Sequence, residues 1–171
     1  DNHQGNIALW GCTNDLPYKI VGDMELCGML NGGIDTKARI AIGKGPMPAI
    51  VRGVTKDGME ELEFIDDPEI NDFLEANNDY EYSYASVRDL VATGNFSSQL
   101  ILSNNREKIV GFKRNDITEC RLEKMNPQSR KSEKVYMSSD WRQYNTFNKE
   151  VSYVAEIPLL DKDFPFQDLQ A

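Results

Sequence analysis

The chain has 171 residues, 40% of them hydrophobic, which is long enough for one packed domain with a core and argues against two independent domains. No run of about 18 apolar residues is present, so the sequence predicts no membrane-spanning helix. The formal net charge is −9. A surface of that sign disfavours bulk nucleic-acid binding, because such binding depends on Lys and Arg displacing counterions from phosphates.

The first part of the chain predicts two helices. After a short extended segment, LPYKIV places Pro17 in the first turn of a helix, with Asn14 or Asp15 as its cap. A second helix is predicted from about Asp23 to Ile42, because apolar residues recur there every three or four positions. These residues are Cys27, Leu30, Ile34, Ala38 and Ala41.

The stretch IGKGP follows this helix and has the glycines and lysine of a phosphate-binding loop. Such a loop needs Ser or Thr directly after the lysine, whereas Lys44 is followed by Gly45 and Pro46. Glycine after the last periodic residue, with proline close behind, is typical of a helix end. We therefore interpret the stretch as the end of the helix and predict no nucleotide site.

A hairpin and two further helices are predicted next. Pro48 to Ile65 contains two apolar-rich runs around Asp57-Gly58, which is a strong hairpin signal. Asp67-Pro68 is typical of a capped helix start, and after a break at residues 77–79 a last helix ends at Gly94. The expected inner faces are Ile70, Phe73, Leu74 and Asn77 on the first, and Tyr80, Tyr84, Val87 and Val91 on the second.

Beyond Gly94 the sequence predicts strands. A hairpin is predicted with Asn104-Asn105 at its turn, between the segments FSSQLILS and KIVGFK. Three further strand segments follow, ITECRLEKM, KVYMSS and VSYVAEIPLL. Helices first and hairpin-linked strands after predict an α+β fold, with N-terminal helices packed on a mostly antiparallel β-sheet. We expect a single domain over residues 1–171, with a helical part at 14–94 and a strand-rich part at 95–160.

The acidic residues are concentrated in one segment. Lys56 to Asp89 contains twelve acidic and two basic residues, a net charge of −10, so the rest of the chain sums to +1. The carboxylates between Glu60 and Glu75 lack the alternating spacing and terminal Glu of a calcium loop. A solvated acidic face is therefore favoured over a metal site.

The sequence predicts no catalytic residue, no cofactor-binding residue and no metal ligand. His3 is the only histidine and lies near the N-terminus, so a Ser-His-Asp or Cys-His arrangement has no support. Three cysteines without a Cys-x-x-Cys pair disfavour a disulfide framework and a zinc site and favour a reducing compartment. One basic cluster is interpreted as a charged hairpin tip and not as a nucleic-acid contact: Arg121, Lys124, Arg130, Lys131 and Lys134.

Several segments, taken in order, are similar to the start of tailed-phage portal proteins, particularly those of prophages in Bacteroides-type bacteria. In that pattern Trp-Gly or Tyr-Gly leads to Asn-x-x-Pro, a helix rich in small residues and Gly-x-Gly. The matching residues are Trp10, Gly11, Asn14, Pro17, Gly43 and Gly45. The similarity extends roughly from Ala8 to Asp161. Later segments continue it in order: EINDFLEANN, NFSSQLILSNNREKIVGFKRND, ITECRLEKMNP, and those from YMSSDW to VAEIPLLD.

The resemblance implies a non-enzymatic structural subunit, with the fold of the portal wing. Portal subunits form rings, usually dodecameric, at one capsid vertex of the virion. They dock the terminase and the head-to-tail connector, and double-stranded DNA passes through without sequence-specific binding. On this view the chain is a fragment of a longer subunit made in the bacterial cytoplasm.

Two other classes stay open at the level of sequence. One is a small intracellular ligand-binding or carboxylate-based enzyme domain, for which only the acidic segment argues, since any of several carboxylates could meet in space. The other is a nucleic-acid adaptor that uses the basic cluster near Arg130.

Overall fold

The structure is a computed structural model that describes residues 6–144, 146–148 and 153–160. It confirms the α+β class, with four helices and seven strands in these residues. The helices are α1 (Leu16–Leu26), α2 (Gly28–Ile42), α3 (Pro68–Ala76) and α4 (Asp79–Thr93). The strands are β1 (Ala49–Val54), β2 (Glu60–Phe64), β3 (Ser97–Leu102), β4 (Ile109–Asn115), β5 (Cys120–Leu122), β6 (Lys134–Met137) and β7 (Ala155–Pro158).

The first two helices meet at Cys27, and the predicted start of the second helix at Asp23 is wrong. Asp23 lies inside α1, and the break falls at Cys27, whose backbone is extended with φ −116° and ψ 93°. The Cys27 N–H donates to the Asp23 carbonyl at 2.9 Å, and its own carbonyl accepts from Asn31 at 3.0 Å. Apolar spacing continues across Cys27, so periodicity alone could not reveal the break.

The helix end at IGKGP is confirmed. α2 ends at Gly43, which has φ +53°, and Gly45 has φ +94°, conformations that L side chains rarely adopt. The Gly43 N–H donates to the Arg39 carbonyl at 3.1 Å. Of the five residues in the predicted apolar stripe, Ile34 and Ala38 are buried, whereas the other three are exposed.

The predicted hairpin, the capped start of α3 and the end of α4 are also confirmed. β1 and β2 pair antiparallel, and Gly58 takes φ +80° in the connecting turn. The Asp67 carboxylate caps α3 by accepting from the backbone N–H groups of Glu69 at 3.0 Å and Ile70 at 3.3 Å. α4 ends at Gly94 in the left-handed region, with φ +74°. Local turn chemistry fixes each of these positions.

The buried face of α4 differs from the predicted stripe. Ser86 and Asp89 are its buried residues, while Tyr80 is exposed and Tyr84 is half-buried. The physical reason is that α4 contacts α2 on one side and β4 on the other, and an ion pair of Asp89 supplies the second contact. A single apolar stripe does not describe a helix that is held from two sides.

The strands form three small antiparallel sheets, whereas the sequence predicts one. Their orders are β1-β2, β3-β4 and β5-β6-β7. α3 and α4 separate the first sheet from the second along the chain. A turn at Asp116, whose carboxylate accepts from the Thr118 N–H at 2.8 Å, redirects the chain between β4 and β5. Each sheet is therefore a local ribbon.

The N-terminal segment completes the third sheet, beside which the main core lies. Ile7 forms an antiparallel bridge with Glu123, and the Ala8 N–H donates to the Leu122 carbonyl at 2.9 Å. The core cluster comprises Ile7, Tyr136, Trp141 and Tyr144. A smaller aromatic group packs α3 and α4 on β4, with the rings of Tyr82 and Phe112 4.4 Å apart and those of Phe73 and Phe112 5.8 Å apart. Among the described residues, no helix combines the length and apolar character that a membrane span requires.

Candidate functional site

Two ion pairs hold α4 between α2 and β4. Arg88 Nε lies 2.9 Å from Asp35 Oδ1, and its Nη2 donates to Asn31 Oδ1 at 2.6 Å. On the other side Arg114 binds Asp89 through two hydrogen bonds, of 2.5 Å from Nε and 2.8 Å from Nη2. Such a bidentate arrangement is the strong form of an arginine–carboxylate pair.

The four charged residues of the two ion pairs line a cleft of about 340 Å³, together with Glu81, Tyr84 and Ala85. A hydrogen bond from Tyr84 lowers the pKa of the Asp35 carboxyl, and a hydrogen bond from Arg88 lowers it further. The bond between Tyr84 and Asp35 also raises the pKa of the Tyr84 hydroxyl. A general acid at neutral pH needs a carboxyl pKa shifted upward, which is the opposite direction. Both arginines already have carboxylate partners, so we interpret the cleft as a junction that fixes α4.

Arg121 is buried, so its predicted place in an exposed basic tip is wrong. Its side chain is 1% exposed, because β5 turns this residue toward the core. Nε donates to Asn14 Oδ1 at 2.7 Å, and Nη2 donates to the Asn14 carbonyl at 3.0 Å. Nη1 donates to the carbonyls of Thr118 and Cys120 at 3.0 and 2.7 Å. Burial lowers the pKa of the Arg121 guanidinium to about 10.

Asn14 is the centre of this buried network, a role that sequence reasoning missed. The residue is fully buried and has φ +55°, a left-handed conformation that Asn tolerates better than most residues. Its Oδ1 also accepts from the Trp10 N–H at 3.1 Å. Its Nδ2 donates to the Tyr144 carbonyl at 2.9 Å and to the Trp141 carbonyl at 3.4 Å. The predicted helix cap position belongs to Asp15, which makes no side-chain cap hydrogen bond.

The groups that could carry covalent or metal chemistry are scattered. In the part of the chain that the structure describes, no group of three or more His, Cys, Asp or Glu could hold a metal ion. His3 lies outside the described residues. Cys12 and Cys27 are exposed and Cys120 is buried, and all three are free thiols. Between Glu60 and Glu75 the carboxylates lie mainly on exposed residues.

The β1–β2 hairpin presents an apolar face to solvent. Ala49 pairs with Phe64 and Val51 with Leu62, and directly opposed residues lie on the same face of a sheet. A bulge between Val51 and Gly53 returns Val54, opposite Glu60, to that face. Val51, Val54, Leu62 and Phe64 are each more than half exposed. The opposite face carries the ion pair between Arg52 and Glu63.

Exposed apolar residues extend beyond the hairpin. At the corner between α1 and α2, Leu26 and Met29 are 88% and 89% exposed. Nine hydrophobic residues of the described chain are buried, whereas twenty-five large ones are exposed. Scattered exposed apolar residues are normal, but contiguous sets such as the hairpin face mark interaction sites. The candidate functional site is therefore the exposed apolar face of the β1–β2 hairpin.

The fold and this surface identify the chain as an α+β protein whose β1–β2 hairpin exposes an apolar face. Comparison with protein families, curated proteins and solved structures finds no match to this chain.

Proposed function

We propose that this chain is part of a portal subunit of a tailed phage or prophage. In this role it contributes to a ring at the capsid vertex of the virion that conducts double-stranded DNA and docks the terminase and the head-to-tail connector. The ordered sequence similarity described above, from Trp10 through Pro17 to the strand-rich part, gives the proposal its particular form.

The observation that carries the proposal is the excess of exposed over buried large apolar side chains. Monomeric proteins rarely expose contiguous apolar sets, and such sets mark contacts with other macromolecules. The exposed residues occur on the hairpin, at the α1–α2 corner and on β3 and β4, for example Leu100 and Val110. A ring subunit has at least two neighbours, so separate apolar surfaces fit that role.

The acidic segment is consistent with a conduit that does not bind DNA tightly. Residues 56–89 sum to −10, and most of their carboxylates lie on exposed residues. Phosphates are repelled by such a surface, and repulsion favours passage over retention.

The alternative of a carboxylate-based enzyme or ligand-binding domain gains no specific observation. The cleft between α2, α4 and β4 has its arginines paired, and the pKa of Asp35 is shifted away from acid catalysis. We therefore favour a structural and non-enzymatic role.

Negative-stain electron microscopy of the complete gene product that contains this chain tests the proposal. We expect closed rings with a central hole, and light scattering should give a mass of many subunits, usually a dodecamer in this class. Particles of one or two subunits across salt and protein concentrations would refute the portal assignment. Salt-sensitive retention on immobilised double-stranded DNA would instead favour a nucleic-acid adaptor.

A further inference from the structure

We infer that the β1–β2 hairpin is an arm that packs on a second copy of this chain. Its apolar face, with Glu60 on it, and the acidic residues of segment 65–76 contact the basic loop between β5 and β6 of the neighbour, in a head-to-tail arrangement. The inference deepens the proposed function and rests on it, because it names the contact by which one subunit holds the next.

The hairpin lacks the support that a two-stranded sheet needs. β1 and β2 pair with each other, and neither makes an extensive contact with another named helix or strand of the described chain. An isolated two-stranded hairpin is marginally stable at best in water. The face that would stabilise it by burial, with Val51, Leu62 and Phe64, is exposed. A partner molecule can cover this face.

Charge identifies the second copy as the partner. The hairpin, residues 49–64, contains two basic and four acidic residues, giving 2 − 4 = −2, and residues 65–76, which include α3, add five acidic residues and no basic one. Residues 124–133, in the β5–β6 loop, contain three basic residues and one acidic residue, giving 3 − 1 = +2; Lys134, which follows them, is paired with Glu156 of its own chain at 2.9 Å. Opposite potentials favour contact between these two surfaces.

The basic loop also offers apolar area. Met125 is 62% exposed and Leu122 is 37% exposed, so the loop region combines apolar and basic groups where the hairpin combines apolar and acidic ones. Contact between two hairpins would instead bring together two surfaces of the same sign, since each hairpin sums to −2. The contact is therefore heterologous, and a heterologous contact of identical chains closes into rings when the rotation allows.

Sedimentation velocity of the full 171-residue chain over a concentration series measures the contact directly. The hairpin variant is Phe64→Glu, and the loop variant combines Arg130→Glu with Lys131→Glu. We expect each to weaken self-association about tenfold or more, as for a central interface residue. Ile40→Glu is the matched control, because Ile40 on α2 is 76% exposed but lies outside the hairpin, the loop and the α1–α2 corner; it should change association by about twofold or less.

A mixture of the hairpin and loop variants gives the sharpest result. The intact loop of the first variant can bind the intact hairpin of the second, so the mixture should recover pairwise association but not longer chains of molecules. Contact between two hairpins predicts instead that the loop variant associates like the unmodified chain and that mixing adds nothing, a result that would overturn the inference. Circular dichroism checks that each variant is folded, and each should have the spectrum of the unmodified chain. Glu60→Lys supplies a second hairpin variant, because Glu60 lies opposite Val54 on the apolar face and the change removes no apolar residue.

Failure of this inference is distinguishable from failure of the proposed function. If the complete gene product carrying Phe64→Glu still forms normal rings, the hairpin contact is overturned and the portal assignment stands. A chain that stays monomeric at every concentration tested would also overturn the contact. Head-to-tail association without closed rings in the gene product would support the contact and refute the portal assignment.

Discussion

Replacement of Asn14 by alanine should remove about 5 kcal/mol of the free energy of unfolding. The side chain is fully buried and joins three parts of the chain that are distant in sequence. Its Oδ1 accepts from Arg121 Nε at 2.7 Å, and its Nδ2 donates to the Tyr144 carbonyl at 2.9 Å. Alanine leaves both partners in place without the amide.

The magnitude follows from the two groups left behind and from the backbone. A buried polar group that loses its partner costs about 1–3 kcal/mol, and more where it is charged, as Arg121 is. The left-handed backbone at φ +55° adds about 1–2 kcal/mol for a residue with a Cβ and no local hydrogen bond. The sum is about 3–8 kcal/mol, which is comparable to the whole stability of about 5–15 kcal/mol for a typical domain.

Urea unfolding, followed by the fluorescence of Trp10 and Trp141, measures this loss, because both residues adjoin the network. Asn14→Gly removes the same hydrogen bonds but tolerates positive φ, so it should be about 1 kcal/mol more stable than Asn14→Ala. An alanine variant within about 1 kcal/mol of the unmodified chain would refute the reasoning that the network is tightly coupled to the fold. Equal stabilities of the two variants would refute the backbone contribution alone.

Three smaller predictions concern α4. Asp89→Ala should cost about 2–3 kcal/mol in urea unfolding because it leaves half-buried Arg114 without its carboxylate partner. Asp35→Ala breaks a more exposed pair and should cost clearly less; equal losses would contradict the burial argument. Ser86→Ala should be neutral or stabilise by up to about 1 kcal/mol, since the Ser86 hydroxyl is buried without a partner among the described residues, and a large loss in the same assay would contradict this. Tyr84→Phe should raise the pKa of Asp35 in an NMR titration, because the Tyr84 hydrogen bond lowers it. Because this pKa is lowered, the ionised Asp35 carboxylate stabilises the fold above pH 3.8, and that stability is lost as the pH falls through the folded-state pKa. In Tyr84→Phe this loss of stability should begin at higher pH. An unchanged pKa of Asp35 would contradict the hydrogen bond.

The features that sequence predicted correctly depend on a few adjacent residues. Asp-Gly at Gly58, Asp67 before a proline and Gly94 after an apolar run each fix the backbone through their own stereochemistry. Positive φ at glycine and a side-chain cap need no information from the rest of the chain. Local sequence is therefore enough to place these helix ends and the hairpin turn.

The features that sequence missed depend on residues far apart. Arg121 resembles the other members of a basic cluster by composition, but its hydrogen-bond partner Asn14 lies 107 positions away. Asp89 is one more acid in an acidic segment until β4 brings Arg114 to it. A buried charge is stabilised by its particular partners, and a single sequence does not reveal them. The same limit explains why the predicted strand segments could not be divided into separate sheets.

The position of the N-terminal segment gives these long-range contacts a consequence for folding. Ile7 bridges to Glu123 beside β5, and the Thr146 N–H donates to the Cys12 carbonyl at 3.2 Å, so both contacts close loops of more than a hundred residues. Closing such loops costs chain entropy before the contacts repay it. The helices and hairpins can form from local contacts, whereas the core around Trp141 requires that the N-terminal segment return to the third sheet. The core and the Asn14 network should therefore form together, and late.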